Sequence, residues 1–285
     1  MGASAPTRTA MDRRIRERRL DVARSNARRR RRVTLSVLVA VLLAGGGLAL
    51  SYSPLFAVDR VRVTGVEAAR QAEVVQAAAV REGEPLLSVD LDRVAGAVRG
   101  LPWVRAAEVA RLPPSTVEVR VAPREPVLLV RVGPATWQLD ADGVLVAGGG
   151  REGVPVVDAP AAVLPPVGEA VRDATVQDAL GVHIGLTEGL RSAVDAYEVT
   201  GTRSVRAHLA LDDAGPDGLW VRFGDAERIA RKVAVTELLL AQTREQATRD
   251  GGLGPAAVAE IDVRAPDNPV LIPRAAAEAG GDAGE

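Results

Sequence analysis

The stretch FAVDRVRVTG at residues 56–65 decides the fold of the first block of this chain. Val61 and Val63 alternate with charged and polar side chains, which is the period of a strand with one buried face. Apolar residues at helical spacing follow at 68–80 and again at 91–98. The pattern therefore predicts one strand followed by two helices.

Two more alternating runs, 103–111 and 116–122, complete the block and are joined by the linker LPPS at 112–115. The predicted order is β-α-α-β-β. Such an order builds a small two-layer domain in which two helices cover one face of a sheet.

The second block, about 124–265, is predicted to be rich in strands. Its clearest signal is the hairpin at 137–146, because Asp142-Gly143 is a strong two-residue turn. The other predicted elements are a strand at 127–132, a loop at 147–172, a helix at 173–188, strands at 194–199, 204–211 and 219–223, a long helix at 226–248 and a final strand at 258–264.

The stretch Val33–Tyr52 carries no charge and is the longest apolar run in the chain. A helix of that length, at ~1.5 Å per residue, spans roughly 30 Å, about one hydrocarbon core. Five arginines at 28–32 precede it, so the positive-inside rule predicts a cytoplasmic N-terminus and an exported folded part. Two alternatives stay open: a cleaved signal peptide, and an arginine tail that binds nucleic acid rather than anionic lipid.

Composition excludes several kinds of chemistry. The 285 residues contain no cysteine, which excludes disulfides, thiolate zinc sites and a cysteine nucleophile. His183 and His208 are the only histidines, and neither has ligand or triad spacing to carboxylates. No phosphate-binding loop or nucleophile elbow occurs. We therefore expect no catalytic residue, no metal, no cofactor, no nucleic acid and no small-molecule substrate.

Four motifs follow one another along the chain: Phe56-x-Val58-x-x-Val61-x-Val63-x-Gly65, Leu101-Pro102-Trp103-Val104, Arg111-x-x-Pro114-x-Thr116-Val117-x-Val119-x-Val121 and Arg124-Glu125-Pro126-Val127. Together with the basic tail and the apolar run, they resemble the FtsQ/DivIB-type bacterial cell division proteins, which carry an FtsQ-type POTRA domain. Gly224-Asp225, Lys232 and 261–264 extend the resemblance, which covers roughly 55–271. Pro123 stands where that family usually has Glu, a minor departure. The strong preference for Arg over Lys is typical of a high-GC genome such as that of an actinobacterium.

The resemblance implies an α+β protein with a single transmembrane helix, a β-α-α-β-β POTRA domain, and a larger mixed β-rich domain whose sheet carries a long packed helix. The corresponding segments are a cytoplasmic basic tail at 1–32, the transmembrane helix at 33–53, the POTRA domain at 54–123, the FtsQ-type β-domain at 124–271 and a disordered tail at 272–285.

It also implies a non-catalytic, single-pass protein of the cell membrane that is concentrated at the division septum. Such a protein binds FtsB-like and FtsL-like partners and links them to septal peptidoglycan synthesis, with a synthase or flippase complex contacting the POTRA domain and the span. Two other classes stay open. A POTRA-bearing transport or secretion component usually has several POTRA copies, and an exported, membrane-anchored cell-wall enzyme needs reactive residues that this sequence does not offer.

The last predicted strand is the candidate partner-binding site. A strand near the end of a chain can lie at a sheet edge, where unpaired N–H and C=O groups accept a partner strand. The resemblance implies that an FtsB-like partner docks there, and the prolines after the strand predict that the sheet ends with it. A plain terminal core strand is the alternative. The candidate residues are Val258, Glu260, Ile261, Asp262, Val263, Arg264, Ala265, Pro266, Asn268, Pro269, Val270 and Leu271.

Overall fold

The computed structural model describes residues 32–43, 45–46, 56–201, 203–250 and 254–274. The first two segments are helical and their side chains are exposed. Within the described residues, no helix combines the length and the hydrophobicity needed to cross a bilayer. Residues 44 and 47–53 of the predicted span, most of the basic tail and the stretch 275–285 lie outside the described residues, so the span remains a prediction.

The first block folds in the predicted β-α-α-β-β order. Its elements are β1 (Arg60–Thr64), α1 (Ala68–Ala78), α2 (Leu91–Arg99), β2 (Val104–Leu112) and β3 (Thr116–Pro123), with one 3-10 turn at Leu86–Ser88. The strands form a three-stranded sheet in the order β1-β3-β2. Gly65 ends β1 at a φ of +88°, and a Cβ there would lie 2.1 Å from the carbonyl oxygen of Val121. Only glycine fits this turn.

The second block forms a nine-stranded sheet with the strand order β12-β11-β10-β9-β8-β7-β4-β5-β6. Its strands are β4 (Pro126–Val132), β5 (Ala135–Asp140), β6 (Leu145–Gly148), β7 (Val156–Asp158), β8 (Val194–Val199), β9 (Val205–Leu209), β10 (Leu219–Gly224), β11 (Val258–Asp262) and β12 (Val270–Pro273). Its helices are α3 (Ala174–Gly185), α4 (Glu188–Ala193) and α5 (Ile229–Asp250).

Pairing in this sheet is mixed. β7 lies parallel to both β4 and β8, and β10 lies parallel to β11, whereas the other neighbours are antiparallel. The predicted loop at 147–172 is wrong at its centre, because it contains β7. A three-residue strand flanked by Pro155 and Pro160 is too short to show an alternating pattern, so only its two neighbours reveal it.

One hydrophobic core lies in this second block, and Tyr197 and Phe223 are its largest fully buried side chains. Val233 and Leu240 of α5 are buried in the same cluster, so the long helix packs on the sheet as the resemblance implies. The core also holds a polar pair. The Nδ1 atom of His183 on α3 lies 2.8 Å from the hydroxyl oxygen of Tyr197 on β8.

Contact density divides the chain into two compact units. One consists of the described residues up to Arg62 with 79–91 and 109–119, and the other of 63–78, 92–108 and the described residues from 120 onward. Arg111 stabilises the first unit, since its side chain donates to the carbonyl oxygens of Leu86 at 2.9 Å and Val89 at 2.6 Å. The second unit contains the whole nine-stranded sheet. The domain boundary predicted between residues 123 and 124 remains a prediction.

Acid should destabilise the fold through His183. Burial, together with the charge of Arg191, lowers the pKa of His183 to about 4, so the unfolded chain binds the proton first as the pH falls from 6.5. Stability present above pH 6.5 is therefore lost progressively down to pH 4, by about 2–3 kcal/mol at pH 4.5. Urea unfolding at pH 7.5 and pH 4.5 measures the loss. His183→Gln should reduce the pH dependence, and an unchanged dependence in that variant contradicts the assignment.

Candidate partner-binding edge of the sheet

The last strand of the described chain, β12, lies at one end of the nine-stranded sheet. It pairs antiparallel with β11 and has no strand on its other side within the described residues. Val270 and Leu271 of β12 are 50% and 39% exposed. An edge of this kind presents backbone N–H and C=O groups that another extended chain can pair with.

The prediction that 258–264 forms the sheet edge is wrong. β11 is paired on both sides, with Ile261 beside Val221 of β10 and Leu271 of β12. Ile261 and Val263 are fully buried. The segment after β11 turns and returns to the sheet as one more strand, so the prolines end β11 without ending the sheet.

The predicted binding residues therefore fall into three positions. Val258, Glu260, Ile261 and Asp262 lie in the internal strand β11, and Val263, Arg264, Ala265, Pro266, Asn268 and Pro269 lie in the connection to β12. In that connection the backbone N–H of Asn268 donates to the carbonyl of Ala265 at 2.9 Å. Only Val270 and Leu271 of the predicted set lie on the edge strand.

Two edge residues escaped the sequence pattern. Ile272 and Pro273 belong to β12, although the predicted disordered tail begins at residue 272. The apolar run Val270-Leu271-Ile272 directly after Pro269 was the available signal. It is weak, because a run of three apolar residues is shorter than the strands that periodicity can identify.

Charged side chains follow one another across the sheet toward the edge. In register from β7 to β12, the aligned positions are Asp158, Glu198, Arg206, Arg222, Asp262 and Val270. Arg206 donates through Nε to Glu198 at 2.9 Å, and Arg222 lies 2.8 Å from the partly buried carboxylate of Glu260. Asp158 and Asp262 pair with Arg131 and Arg264, so each charge of the row has an opposite partner, and the row ends on an apolar residue at the edge.

Asp262 ends this row beside the edge strand. Burial alone raises the pKa of Asp262, but hydrogen bonds from the side chain and backbone N–H of Arg264 outweigh it and hold the pKa below its ordinary value. The carboxylate is ionised at neutral pH, and it fixes Arg264 at the start of the connection that leads to β12.

A buried lysine of α5, Lys232, bonds to the end of β10, the strand that pairs with β11. Lys232 is 3% exposed, and its Nζ donates to the carbonyls of Phe223 at 2.8 Å and Asp225 at 2.9 Å and to the Asp225 carboxylate at 2.7 Å. Burial alone raises the pKa of Asp225, but hydrogen bonds from Lys232 and Arg203 outweigh it and lower the pKa overall. The motif Gly224-Asp225 therefore fixes the turn from β10 into α5.

Both ring nitrogens of His208, the second histidine, have polar partners in the fold. Nδ1 of His208 lies 2.6 Å from the Asp195 carboxylate, and Nε2 lies 2.9 Å from the Asp217 carbonyl oxygen. Burial lowers the pKa of His208, but these two contacts outweigh it and raise the pKa overall. Among the described residues, no group of three His, Cys, Asp or Glu side chains could hold a metal ion.

Comparison with known proteins gives consistent matches. The family model for the POTRA domain, FtsQ-type, matches residues 56–124. The cell division protein FtsQ of Streptomyces venezuelae is 33% identical over 214 residues, which cover 74% of this chain and 76% of that protein. The FtsQ proteins of Mycolicibacterium smegmatis and Mycobacterium tuberculosis are 31% and 29% identical, over 73% and 77% of this chain and over 59% and 66% of their own lengths.

Removal of the buried Lys232 amine should lower the stability of the fold. Lys232→Met leaves the carbonyls of Phe223 and Asp225 without their donor, and we expect the free energy of unfolding to fall by about 3 kcal/mol or more. Arg249→Ala is the control, because Arg249 is exposed and, among the described residues, forms its ion pair with Glu245 one turn away, so its loss should cost under about 0.5 kcal/mol. Urea unfolding compares the two, and equal losses contradict the role given to Lys232.

Proposed function

Because the chain belongs to the FtsQ family of cell division proteins, we propose that it is a non-catalytic, membrane-anchored member of the division machinery that captures partner proteins at β12. The partners are FtsB-like and FtsL-like proteins, which the chain links to septal peptidoglycan synthesis. The observation that carries this proposal is the edge strand itself, which is paired on one side only and exposes Val270 and Leu271.

Membrane anchoring is supported by the charge pattern and by the exposure of the first helix. Five arginines precede an uncharged run, which favours a cytoplasmic N-terminus and an extracytoplasmic folded part. The described helix at 32–43 exposes Leu42 and Leu43 by 65% and 71%. Exposed apolar side chains are suited to lipid. In this proposal, the anchor and the partners together concentrate the protein at the division septum.

The edge favours an apolar, extended partner segment. Val270 lies opposite Asp262 and Leu271 opposite Ile261, so successive β12 side chains point to opposite faces of the sheet, one of them the buried face. An added strand gains main-chain hydrogen bonds along β12 and side-chain contacts with these apolar residues. A short segment with β-branched or aromatic residues on both faces fits this chemistry.

Other regions would then contact other members of the machinery. The POTRA domain and the membrane span are the proposed contacts for a septal synthase or flippase complex. No reactive group enters the proposal, because strand addition needs only backbone and apolar side chains.

A charged side chain on β12 should weaken partner capture without unfolding the protein. Val270→Glu replaces an exposed apolar side chain of β12 with a charged one, which removes apolar contact with an added strand and leaves a carboxylate to be desolvated at the interface. We expect co-purification of the FtsB-like protein from dividing cells to fall about tenfold or more, equivalent to about 1.4 kcal/mol.

Val163→Glu is the matched control, because Val163 is 78% exposed on the connection between β7 and α3. It should retain both capture and mid-cell localisation of a fluorescent fusion. If Val270→Glu melts at the wild-type temperature and still captures the FtsB-like protein at the wild-type level, β12 is not the binding edge.

A further inference from the structure

The edge strand has little of its own to keep it in place. β12 contains four residues, pairs with one neighbour, and carries exposed side chains at Val270 and Leu271. Short, solvent-exposed strand ends open locally at low free-energy cost. A strand that must accept another strand binds more tightly when it already has the bound geometry, because less ordering is needed at association.

Arg274, directly after β12, contacts backbone carbonyl groups of several neighbouring segments. Its Nε donates to the carbonyl of Ala256 at 3.0 Å, and its Nη2 donates to the carbonyl of Gly218 at 2.8 Å. The same Nη2 lies 3.4 Å from the carbonyl oxygens of both Ala214 and Val258. Arginine can serve several acceptors at once because its planar guanidinium carries five N–H donors in fixed directions.

The loop at 214–218, which Arg274 contacts, is itself bonded to the rest of the second block. The carbonyl of Asp217 contacts Nε2 of His208 on β9, and the Asp217 carboxylate lies 3.3 Å from Nη1 of Arg274. A neighbouring carboxylate, Asp213, is paired with Arg244 on α5. Arg274 therefore ties the end of β12 to backbone that is anchored to β9 and α5.

A second contact at the opposite end of β12 is weaker. Arg228 and Arg231 at the start of α5 pair with Asp267 in the connection before β12. All three side chains are about 60% exposed, and exposed ion pairs contribute little because solvent screens them. Arg274 is 25% exposed and bonds to carbonyl groups, so it is the stronger of the two restraints.

We infer that Arg274 is a positioning residue that holds β12 in strand geometry before a partner strand arrives. The part of this inference that concerns partner capture rests on the proposed function. The part that concerns the hold on β12 stands on the contacts of Arg274 alone, and it can be measured without any partner.

Hydrogen exchange on the full-length chain in detergent tests this hold. We expect peptides covering 263–274 to exchange about tenfold faster in Arg274→Ala than in the wild type, while peptides from β9 and β10 and the melting temperature stay unchanged. Arg274→Lys should recover only part of the protection, because an ammonium on one stem cannot reach the same set of carbonyls. Arg249→Ala, whose partner lies on its own helix, should exchange like the wild type.

Co-purification of the FtsB-like protein is the second measurement on the same variants. Faster exchange at 263–274 with about tenfold lower capture supports the inference. Unchanged exchange overturns the hold on β12, and faster exchange with wild-type capture overturns the role of that hold in capture. Loss of protection across β9 and β10 also overturns the inference, because Arg274 would then stabilise the whole domain rather than position one strand. Failure of the wild-type chain to capture the FtsB-like protein refutes the proposed function, while the exchange result still decides whether Arg274 holds β12.

Discussion

Backbone hydrogen bonding across the nine-stranded sheet determines what this protein can offer to another chain. Every strand from β11 to β5 has a neighbour on each side, so its N–H and C=O groups are used within the fold. β12 has one neighbour, and all of its residues except the half-buried Ile272 are exposed. β6 ends the sheet on the other side, where Leu145 exchanges backbone hydrogen bonds with Gly168 and Glu169. β12 therefore offers backbone at one edge of the sheet, and a strand-adding partner needs no further chemistry from it.

The rest of the second block supports that edge. Lys232 fixes the turn from β10 into α5, and the helix covers a core in which Val233 and Leu240 are buried. β11, which carries β12, is covered by the same core through the fully buried Ile261. On the opposite face of the sheet, charged side chains such as Arg206 and Glu198 pair with one another across strands. Core packing on one face of the sheet and ion pairs on the other therefore support the strand that carries β12.

Much of the fold followed from the sequence because its signals are local. Alternating valines, helical spacing and the Asp142-Gly143 turn predicted the β-α-α-β-β block and the hairpin of the second block. β7 and β12 were missed because a strand of three or four residues carries too little pattern and is defined by its neighbours. For the same reason the sequence predicts the sheet edge at β11, whereas the structure has it at β12. Sheet order depends on long-range pairing, which periodicity does not encode.

Site-specific photo-cross-linking in dividing cells tests most directly whether partners bind at β12. A photoreactive residue at Leu271 on the edge is compared with one at Leu87, which is 58% exposed in the first block. We expect a cross-link from position 271, and none from position 87, to a single-span division protein of the FtsB type. The absence of that product at position 271, in cells where the protein is present at the septum and division proceeds, would contradict binding at β12.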